Sequence, residues 1–371
     1  MKKTIYNLKK YVPIPIRKWV LSLFNFEEYR VYSNEMSNPY KNEPDTVEFG
    51  DNSIKVGIIF SKMHYHKFWI AACRELKVSY CIIYLERNDW QEQLQHFNCS
   101  LFLVWPDITD VATKNMQDER LRIMVEEMGI KVYPSLKETW LYENKRVQHD
   151  WLKVHGFPTP ETWVFYDKKE VVSFLKTANY PLVYKSNLGA SATGVYIVNN
   201  KNEAIRKAKK FLKDGYQLKG SKAAVRQKGS LYIQEYLSSV KEWRMVRIGD
   251  SYFGHGKDMK GQFHSGSGKA NWDMPPQKAF DLLFDVTNKG GFTSMDVDMF
   301  EDEMGCLYIN ELQTVFGNSI AKEQLKKDGV PGRMIRDNNG KFIFEIGSFC
   351  QNHMCNLRLN YLLNETTDIS K

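Results

Sequence analysis

The stretch Pro181-Leu-Val-Tyr-Lys185-Ser-Asn-Leu-Gly189-Ala-Ser191-Ala-Thr193-Gly194-Val-Tyr-Ile-Val198 decides how the rest of this chain is interpreted. It predicts an apolar strand, a loop of small residues and a second apolar strand. The small residues let the loop backbone approach a polyanion and direct its N–H groups at it, and Lys185 ends the first strand within reach of the same phosphates. In a Walker-type loop or a dinucleotide-binding turn, a helix would follow the glycines. The strand that follows here predicts a hairpin lid over a nucleotide.

A second informative stretch runs from Asp296 to Gln313 and predicts a hairpin, with strands over 293–300 and 306–312 joined by an acidic turn. Period-two alternation places Asp298 and Glu311 on facing strands, and Glu311 and Gln313 on one face of their own strand. Carboxylate and amide oxygens suit Mg²⁺, which shares its coordination shell with phosphate and water. Apolar neighbours favour this interpretation over a solvated hairpin, because an unpaired carboxylate on a buried face is costly. The stretch therefore predicts a metal site.

The region before residue 137 alternates between predicted strands and helices. A polar linker, 36–54, is followed by strands at 55–60, 80–85, 101–105 and 130–133, with helices at 68–76 and 115–129. This alternation predicts a small parallel α/β domain over 55–137. Its first strand is not followed by a glycine-rich phosphate loop, so we expect the nucleotide to bind elsewhere.

The region after residue 137 has a mixed α+β pattern. Predicted helices cover 143–156, 170–177, 201–212 and 277–289, and strands cover the two hairpins, 231–237 and 243–248. The Gly-, Lys- and Ser-rich residues 213–230 predict a mobile segment. The apolar tail over 342–363 predicts a helix or strand packed on the core.

The ordered set Lys145, the lid with Lys185, Gln234-Glu235-Tyr236-Leu237, Arg244, Asp298, Glu311 and Gln313 resembles the ATP-grasp superfamily. The resemblance covers residues 145–318 and is nearest to ligases that add glutamate to a ribosomal protein tail, D-alanine–D-alanine ligases and glutathione synthetases. It implies an N-terminal α/β domain followed by a two-lobed ATP-grasp fold. The implied segments are 1–35 (basic), 36–54 (linker), 55–137 (the α/β domain), 138–235 (first lobe with the lid) and 236–371 (second lobe with the metal site and tail).

The resemblance also implies roles for individual residues. Mg²⁺ (two ions, with Mn²⁺ as the alternative) would bind Asp298, Glu311 and Gln313 and bridge the β- and γ-phosphates of ATP. The implied nucleotide contacts are Lys145, Lys185, Gly189, Ser191, Thr193 and Gly194 for the phosphates, Gln234, Glu235, Tyr236 and Leu237 for adenine, and Glu242 for the ribose. Glu242 could instead form a solvated pair with Lys241.

Two positions depart from the family pattern. Gln313 stands where the third metal ligand is usually asparagine. Asp296 stands where several of these ligases carry an arginine that steadies an acyl phosphate. Another cation must therefore serve that purpose in this chain.

The substrate side is predicted from a glycine-rich segment, 254–269, between a strand and a helix. Such a loop can wrap an anion with backbone N–H groups, although a solvated loop gives the same pattern. We expect Lys257, His264, Ser265 and Gly266 to bind substrate, and Arg244, Arg247 and Lys269 to stabilise an acyl phosphate. Asn318 either lines the acceptor pocket or caps the next helix.

The charge distribution limits the partners. The net charge of +8 is concentrated in residues 1–20, which contain six Lys and Arg and no acid, so the remainder does not predict a nucleic-acid surface. Residues 1–26 are basic and apolar and too short to span a bilayer, so they either lie on an anionic membrane surface or dock on the protein. The scattered cysteines and the lack of a signal peptide predict a cytoplasmic protein. The chain is compatible with peripheral association at the inner membrane face and with a homodimer.

These features favour an ATP-dependent carboxylate–amine ligase, with ATP and small carboxylate and amine molecules as its partners. A cell-envelope or sugar-acid acceptor would fit a membrane-bound N-terminus. The alternatives are a kinase on the same scaffold, which transfers the γ-phosphate to a hydroxyl, and a nucleotide-binding protein without turnover.

Overall fold

The computed structural model of the chain describes residues 48–50, 54–108, 110–189, 194–217, 226–258, 270–316 and 323–368. The chain divides into two units, one with the described residues up to Leu136 and one with those from Lys137 onward. The predicted N-terminal segment 1–26 lies outside the described residues, as do these predicted site residues: Ser191, Thr193, His264, Ser265, Gly266, Lys269 and Asn318.

The first unit is a five-stranded sheet with helices. Its elements are β1 (Glu48–Phe49), β2 (Lys55–Ile59), α1 (His66–Glu75), β3 (Ser79–Ile83), α2 (Trp90–Phe97), β4 (Leu101–Leu103), α3 (Val111–Arg122), a π-helical turn (Ile123–Glu127) and β5 (Val132–Tyr133). The strand order is β1-β3-β2-β4-β5. Strands β2 to β5 are parallel, which confirms the predicted parallel sheet. The continuous apolar sequences of β2 and β3 fit a sheet buried on both faces.

Two elements of this unit differ from the prediction. Strand β1 lies inside the predicted linker and pairs antiparallel with β3, with Glu48 opposite Cys81. Helix α2 was not predicted, yet its Trp90 and Leu94 pack into the core against Phe102 and Leu121.

The second unit begins with two helices and a four-stranded antiparallel sheet. Its first elements are α4 (Leu136–Leu141), α5 (Lys145–Val154), β6 (Thr162–Phe165), α6 (Lys168–Thr177), β7 (Leu182–Lys185), β8 (Val195–Val198), α7 (Lys201–Asp214), β9 (Tyr216–Gln217), β10 (Arg226–Gln227) and β11 (Leu231–Glu235). The sheet order is β6-β11-β7-β8, and β7 pairs with β8 with Lys185 opposite Val195. The strands of the predicted lid hairpin are therefore confirmed. Strands β9 and β10, within the predicted mobile segment, pair with each other.

Alternation divides this sheet into two different faces. Tyr184, Leu231 and Ile233 face a core formed with Val171 of α6 and Ala204 of α7. The opposite face carries the intervening residues of β7 and β11: Val183, Lys185, Tyr232 and Gln234. The lysine at the end of the lid strand thus lies on the face away from these helices.

The remaining elements form a larger antiparallel sheet. They are β12 (Lys241–Ile248), β13 (Ser251–Lys257), β14 (Ala270–Asn271), α8 (Gln277–Gly290), β15 (Ser294–Glu301), β16 (Leu307–Gln313), β17 (Lys326–Lys327), β18 (Val330–Arg336), β19 (Phe342–Ile346), a helical turn (Gln351–Met354) and α9 (Cys355–Asp368). The order is β16-β15-β12-β13-β18-β17, with β14 on β13 and β19 on β18. Phe280 and Leu283 of α8 pack in one core with Met245 and Val297 of the sheet. The tail contains both a strand and a helix.

The first four residues of the segment predicted as a loop, 254–257, form a strand instead, and residues 259–269 of that segment lie outside the described residues. Residues 254–257 belong to β13, which pairs with β12 in continuous register from Glu242–Lys257 to Ile248–Ser251. A Cβ at Gly254 would lie 2.6 Å from Met245 Sδ and 2.8 Å from Pro275 Cγ, so this glycine permits close packing of side chains against the strand.

Candidate functional site

Two carboxylates face each other across neighbouring strands. Asp298 of β15 lies opposite Glu311 of β16, as the sequence predicted, and Asp296 lies opposite Gln313. The register shifts between Asp298 and Met299, so β16 has one extra residue, Asn310, at this point. The bulge gives the acidic pair a neutral amide neighbour that the sequence did not predict.

Asp298 is surrounded by cations from the two next strands. Lys257 of β13 donates to Glu242 at 2.7 Å and also to Asp298. Arg244 of β12 donates to Asp298 from Nε at 3.2 Å and from Nη2 at 3.3 Å. Burial alone would raise the pKa of Asp298, but Arg244 and Lys257 outweigh it and hold this pKa below its usual range. Asp298 is therefore ionised at neutral pH.

Glu242 belongs to this cluster and is only 3% exposed. Its partner is Lys257, so the alternative of a solvated pair with Lys241 is wrong. His255 lies opposite Arg244 on β13. Burial, with Arg244 and Lys257, lowers the pKa of His255 to about 3, so this ring is neutral at physiological pH.

Glu311 is held by Lys145, the first residue of α5. Lys145 Nζ lies 2.7 Å from Glu311 Oε1 and donates to the Gly189 carbonyl at 3.1 Å. Glu143 Oε2 accepts the Gly189 N–H at 3.0 Å. Burial would lower the pKa of Lys145, but Glu311 and Glu143 outweigh it and raise this pKa. One lysine thus connects the acidic hairpin to the base of the predicted lid.

Lys185 reaches the same hairpin from β7. Its Nζ donates to Asn310 Oδ1 at 2.8 Å, and its side chain is almost fully buried. Burial, with a further contribution from nearby Lys145, lowers the pKa of Lys185 to about 8 although Glu311 opposes the shift. Among the described residues, no carboxylate lies within ion-pair distance of the buried Lys185 ammonium group.

The segment predicted to contact adenine, 234–237, contains one buried residue followed by three that are partly buried or exposed. Gln234 lies on the same face of the sheet as Lys185, and its Nε2 donates to Thr162 Oγ1 at 3.0 Å. Glu235 instead bonds Glu161: its carboxylate accepts the Glu161 N–H at 2.6 Å, and its backbone N–H donates to the Glu161 carbonyl at 2.8 Å. Tyr236 is 38% exposed, and Leu237 is partly buried. The adenine contact of these residues stays a prediction.

Arg247 is not brought to the cluster. It stands three positions from Arg244 on one strand, so alternation places it on the opposite face. Its guanidinium donates to the Gly249 carbonyl at 2.9 Å and to Thr287 Oγ1 at 3.1 Å. These partners belong to a turn and to α8, so we do not retain Arg247 as a group that stabilises an acyl phosphate.

Asp296 pairs with a cation on the neighbouring strand. Arg244 Nε lies 2.9 Å from Asp296 Oδ2, and Asp296 is fully buried. The positive charge is therefore on β12, while an acid occupies the corresponding position on β15.

The donor set fits Mg²⁺ better than a metal held by protein alone. Among the described residues, no three His, Cys, Asp or Glu side chains are grouped so as to hold an ion. Asp298 and Glu311 already accept cationic partners, and Gln313 supplies an amide on the same strand as Glu311. Mg²⁺ commonly takes one or two carboxylates and completes its shell with phosphate and water.

In the part of the chain that the structure describes, no helix is long and apolar enough to cross a bilayer.

Comparisons with known proteins give short sequence matches. No protein-family model matches the chain. The phosphoribosylamine–glycine ligase of Clostridium acetobutylicum is 30% identical over 117 residues, which cover 31% of this chain and 26% of that protein. The trifunctional purine biosynthetic protein adenosine-3 of Gallus gallus is 32% identical over 88 residues, 23% of this chain and 9% of that protein. The chain thus spans about a quarter or less of the curated relatives it matches.

Solved structures match over a larger part of the chain. The ADP complex of N5-carboxyaminoimidazole ribonucleotide synthetase has a TM-score of 0.55 and 13% identity, covering 78% of this chain and 83% of its own. D-alanine–D-alanine ligase from Bacillus anthracis, complexed with ATP, has a TM-score of 0.51 and 16% identity, covering 71% and 86%. A RimK domain ATP-grasp protein from Sphaerobacter thermophilus has a TM-score of 0.50 and 13% identity, covering 72% and 94%. The fold class predicted from the sequence is confirmed: this chain has the fold of the ATP-grasp superfamily.

Proposed function

We propose that this chain is an ATP-dependent carboxylate–amine ligase. One observation carries the proposal: Asp298 and Glu311 face each other, and four cations from four other elements surround the pair. These cations are Lys145 (α5), Lys185 (β7), Arg244 (β12) and Lys257 (β13). Such an arrangement suits a metal-bound triphosphate, whose charges require both carboxylate-held metal and direct cationic contacts.

The residues divide the binding of ATP between them. Asp298, Glu311 and Gln313 would hold Mg²⁺, with Mn²⁺ as a substitute, and the bound metal would neutralise charge on the β- and γ-phosphates. Lys145 and Lys185 would bind phosphate oxygens from the opposite side, because both ammonium groups lie beside the acidic hairpin. Gln234 and Lys185 share one face of the four-stranded sheet, and the rest of the nucleotide would extend along that face.

The reaction we propose has two displacements. A carboxylate oxygen of the substrate attacks the γ-phosphorus, and the bond to the bridging oxygen breaks to release ADP. An amine nitrogen then attacks the acyl carbon, the carbon–oxygen bond breaks to release phosphate, and the nitrogen loses a proton. Arg244 and Lys257 are fixed by ion pairs beside Asp298, so they can oppose the developing negative charge without reorganising.

The names of similar proteins support the same reaction class. Phosphoribosylamine–glycine ligase and D-alanine–D-alanine ligase are both named as enzymes that join two molecules. The substrates of this chain are a separate matter, because it matches only part of the curated relatives. We propose small carboxylate and amine substrates, with a sugar-acid or cell-envelope acceptor as one class to include in a screen.

A pairwise substrate screen tests the proposal. ADP release from Mg·ATP is measured with carboxylic acids, amino acids and sugar acids, each alone and in pairs, and the products are analysed by mass spectrometry. We expect ADP release that depends on a carboxylate–amine pair and an amide product. A stable phosphoester formed without an amine would assign a kinase instead. Binding of ATP without turnover in any combination would contradict an enzymatic role.

Variants of the acidic pair link that activity to the site. Glu311→Gln should strongly reduce the pair-dependent ADP release, whereas Glu345→Gln should not. Glu345 is a matched control because it also forms an ion pair, with Arg333, and is on a different part of the sheet. Equal activity in the two variants would show that ADP release does not arise at this site.

The N-terminal proposal concerns residues 1–26, which lie outside the described residues. We propose that this basic, apolar segment binds an anionic membrane surface and keeps a cytoplasmic protein at the inner face. Co-sedimentation of the full chain with anionic liposomes, lost on deletion of 1–26, would support it. No co-sedimentation of the full chain would overturn it and favour docking on the protein.

A further inference from the structure

Arg358 is a completely buried arginine on the C-terminal helix α9. Its Nε donates to Ser294 Oγ at 2.9 Å, and its Nη1 donates to the His353 carbonyl at 2.8 Å. Ser294 in turn donates to the Thr314 carbonyl at 2.7 Å. The guanidinium is therefore fixed to strand β15, which also carries Asp296 and Asp298.

The charge of Arg358 has no carboxylate partner among the described residues, and its Nη2 has no hydrogen-bond partner there. Arg244, Lys257 and Lys145, by contrast, are each paired with at least one carboxylate. Beyond Lys137, the stretches outside the described ranges, 190–193, 218–225, 259–269, 317–322 and 369–371, contain no Asp or Glu. A buried charge without a partner is costly, so this place suits an anionic ligand.

The charge of Arg358 also affects the pKa of the neighbouring His353. Burial, together with Arg358, lowers the pKa of His353 to about 4. The ring is therefore neutral at physiological pH and adds no second positive charge.

The position of Arg358 relates it to the acidic cluster. Ser294, Asp296 and Asp298 alternate along β15, so their side chains share one face of the sheet. Arg244 and Arg358 both lie against the ring of Phe316, with their guanidinium carbons 5.7 and 5.4 Å from its centroid. Ser294 and Asp298 are four residues apart, about 13 Å along the strand. The distance from Arg358 to the predicted metal ligands is therefore of the size that one small molecule could span.

We propose that Arg358 binds a carboxylate of the substrate through its unpartnered Nη2 and so orients that substrate toward Arg244 and Asp298. This inference rests on the proposed ligase function, which requires a carboxylate substrate. An arginine suits the task because its planar donors match the two oxygens of a carboxylate. Phosphate offers the same oxygens, so the test separates the two anions.

The test measures the melting temperature of the full chain with acetate, succinate, L-glutamate or inorganic phosphate, each with and without Mg²⁺ and a non-hydrolysable ATP analogue. We expect at least one carboxylate to raise the melting temperature of the wild type saturably. Arg358→Met should lose this rise or need roughly tenfold more ligand, because a charge-assisted hydrogen bond is removed. Arg333→Met is the matched control, since Arg333 is paired with Glu345, and it should keep the wild-type response.

Three results would overturn the proposal: no response of the wild type to any carboxylate, a response to phosphate alone, or an unchanged response in Arg358→Met. If Arg358→Met does not fold, Arg358→Lys replaces it, which keeps the charge but removes the planar donors and should weaken carboxylate binding. Calorimetric binding of the ATP analogue is measured in parallel. A wild type that binds carboxylate but no nucleotide would refute the proposed function and leave the role of Arg358 intact.

Discussion

Arg244 bridges Asp296 and Asp298, with its Nε 2.9 Å from one carboxylate and 3.2 Å from the other. Asp296 is fully buried, and burial raises its pKa although Arg244 opposes the shift. The arginine therefore pairs with both acids and compensates the charge of a fully buried one.

Replacing Arg244 should destabilise the fold through Asp296. Above pH 8, where Asp296 is ionised, Arg244→Met leaves a buried carboxylate unpaired, and we expect a loss of about 3–5 kcal/mol in the free energy of unfolding. The double variant Arg244→Met/Asp296→Asn should recover a large part of that loss. Urea denaturation measures both, with Arg333→Met as a control that changes stability by about 1 kcal/mol or less. Strictly additive single effects would show that the two side chains are not coupled.

Glu311→Gln should reduce Mg²⁺-dependent ADP release by about 100-fold or more. The expected loss exceeds that for an outer-shell residue, because a proposed metal ligand itself is changed. Titrating Mg²⁺ in the assay measures the effect, which should include a higher Mg²⁺ requirement. A variant with wild-type Mg²⁺ dependence would remove Glu311 from the metal site.

ATP affinity should depend on pH through Lys185. With its pKa near 8 in the free protein, the ammonium is charged below pH 8, and ATP affinity should be constant there. Above pH 8 a proton must be taken up on binding, so affinity should fall by up to about tenfold per pH unit. Lys185→Met should bind ATP more weakly and lose this dependence. Calorimetry across pH 6–9.5 tests it, with Lys278→Met expected to keep the wild-type profile because Lys278 pairs with Glu301 on the surface.

Asp167→Ala should weaken the first lobe without changing the site. Asp167 caps helix α6 by accepting the N–H groups of Lys169 and Glu170, both at 2.8 Å. Loss of an N-cap costs about 0.5–2 kcal/mol, which thermal or urea unfolding would detect. ATP-analogue binding should be unchanged, and a large change in it would mean that α6 is coupled to the nucleotide site.

The facing of Asp298 and Glu311 could be predicted because alternation is a local property of a strand. The same rule could have separated Arg244 from Arg247, which are an odd number of residues apart. Asn310 could not be found this way, since a bulge depends on how two strands pair. The glycines of β13 predicted a loop, whereas Gly254 is needed for packing against Met245 and Pro275. Arg358 carries no local signal, because only the packing of α9 shows that it is buried.

The hydrogen bonds of Lys145 to both Glu311 and Gly189 have a consequence for how metal and phosphate would bind at the proposed site. Any metal that takes over Glu311 frees the ammonium of Lys145, and any phosphate that takes over Lys145 frees Glu311 for metal. Each ligand thus removes a competitor of the other, so their affinities must rise together and by the same factor. In the proposed site, nucleotide and metal would therefore compete jointly with one internal ion pair of the ligand-free molecule.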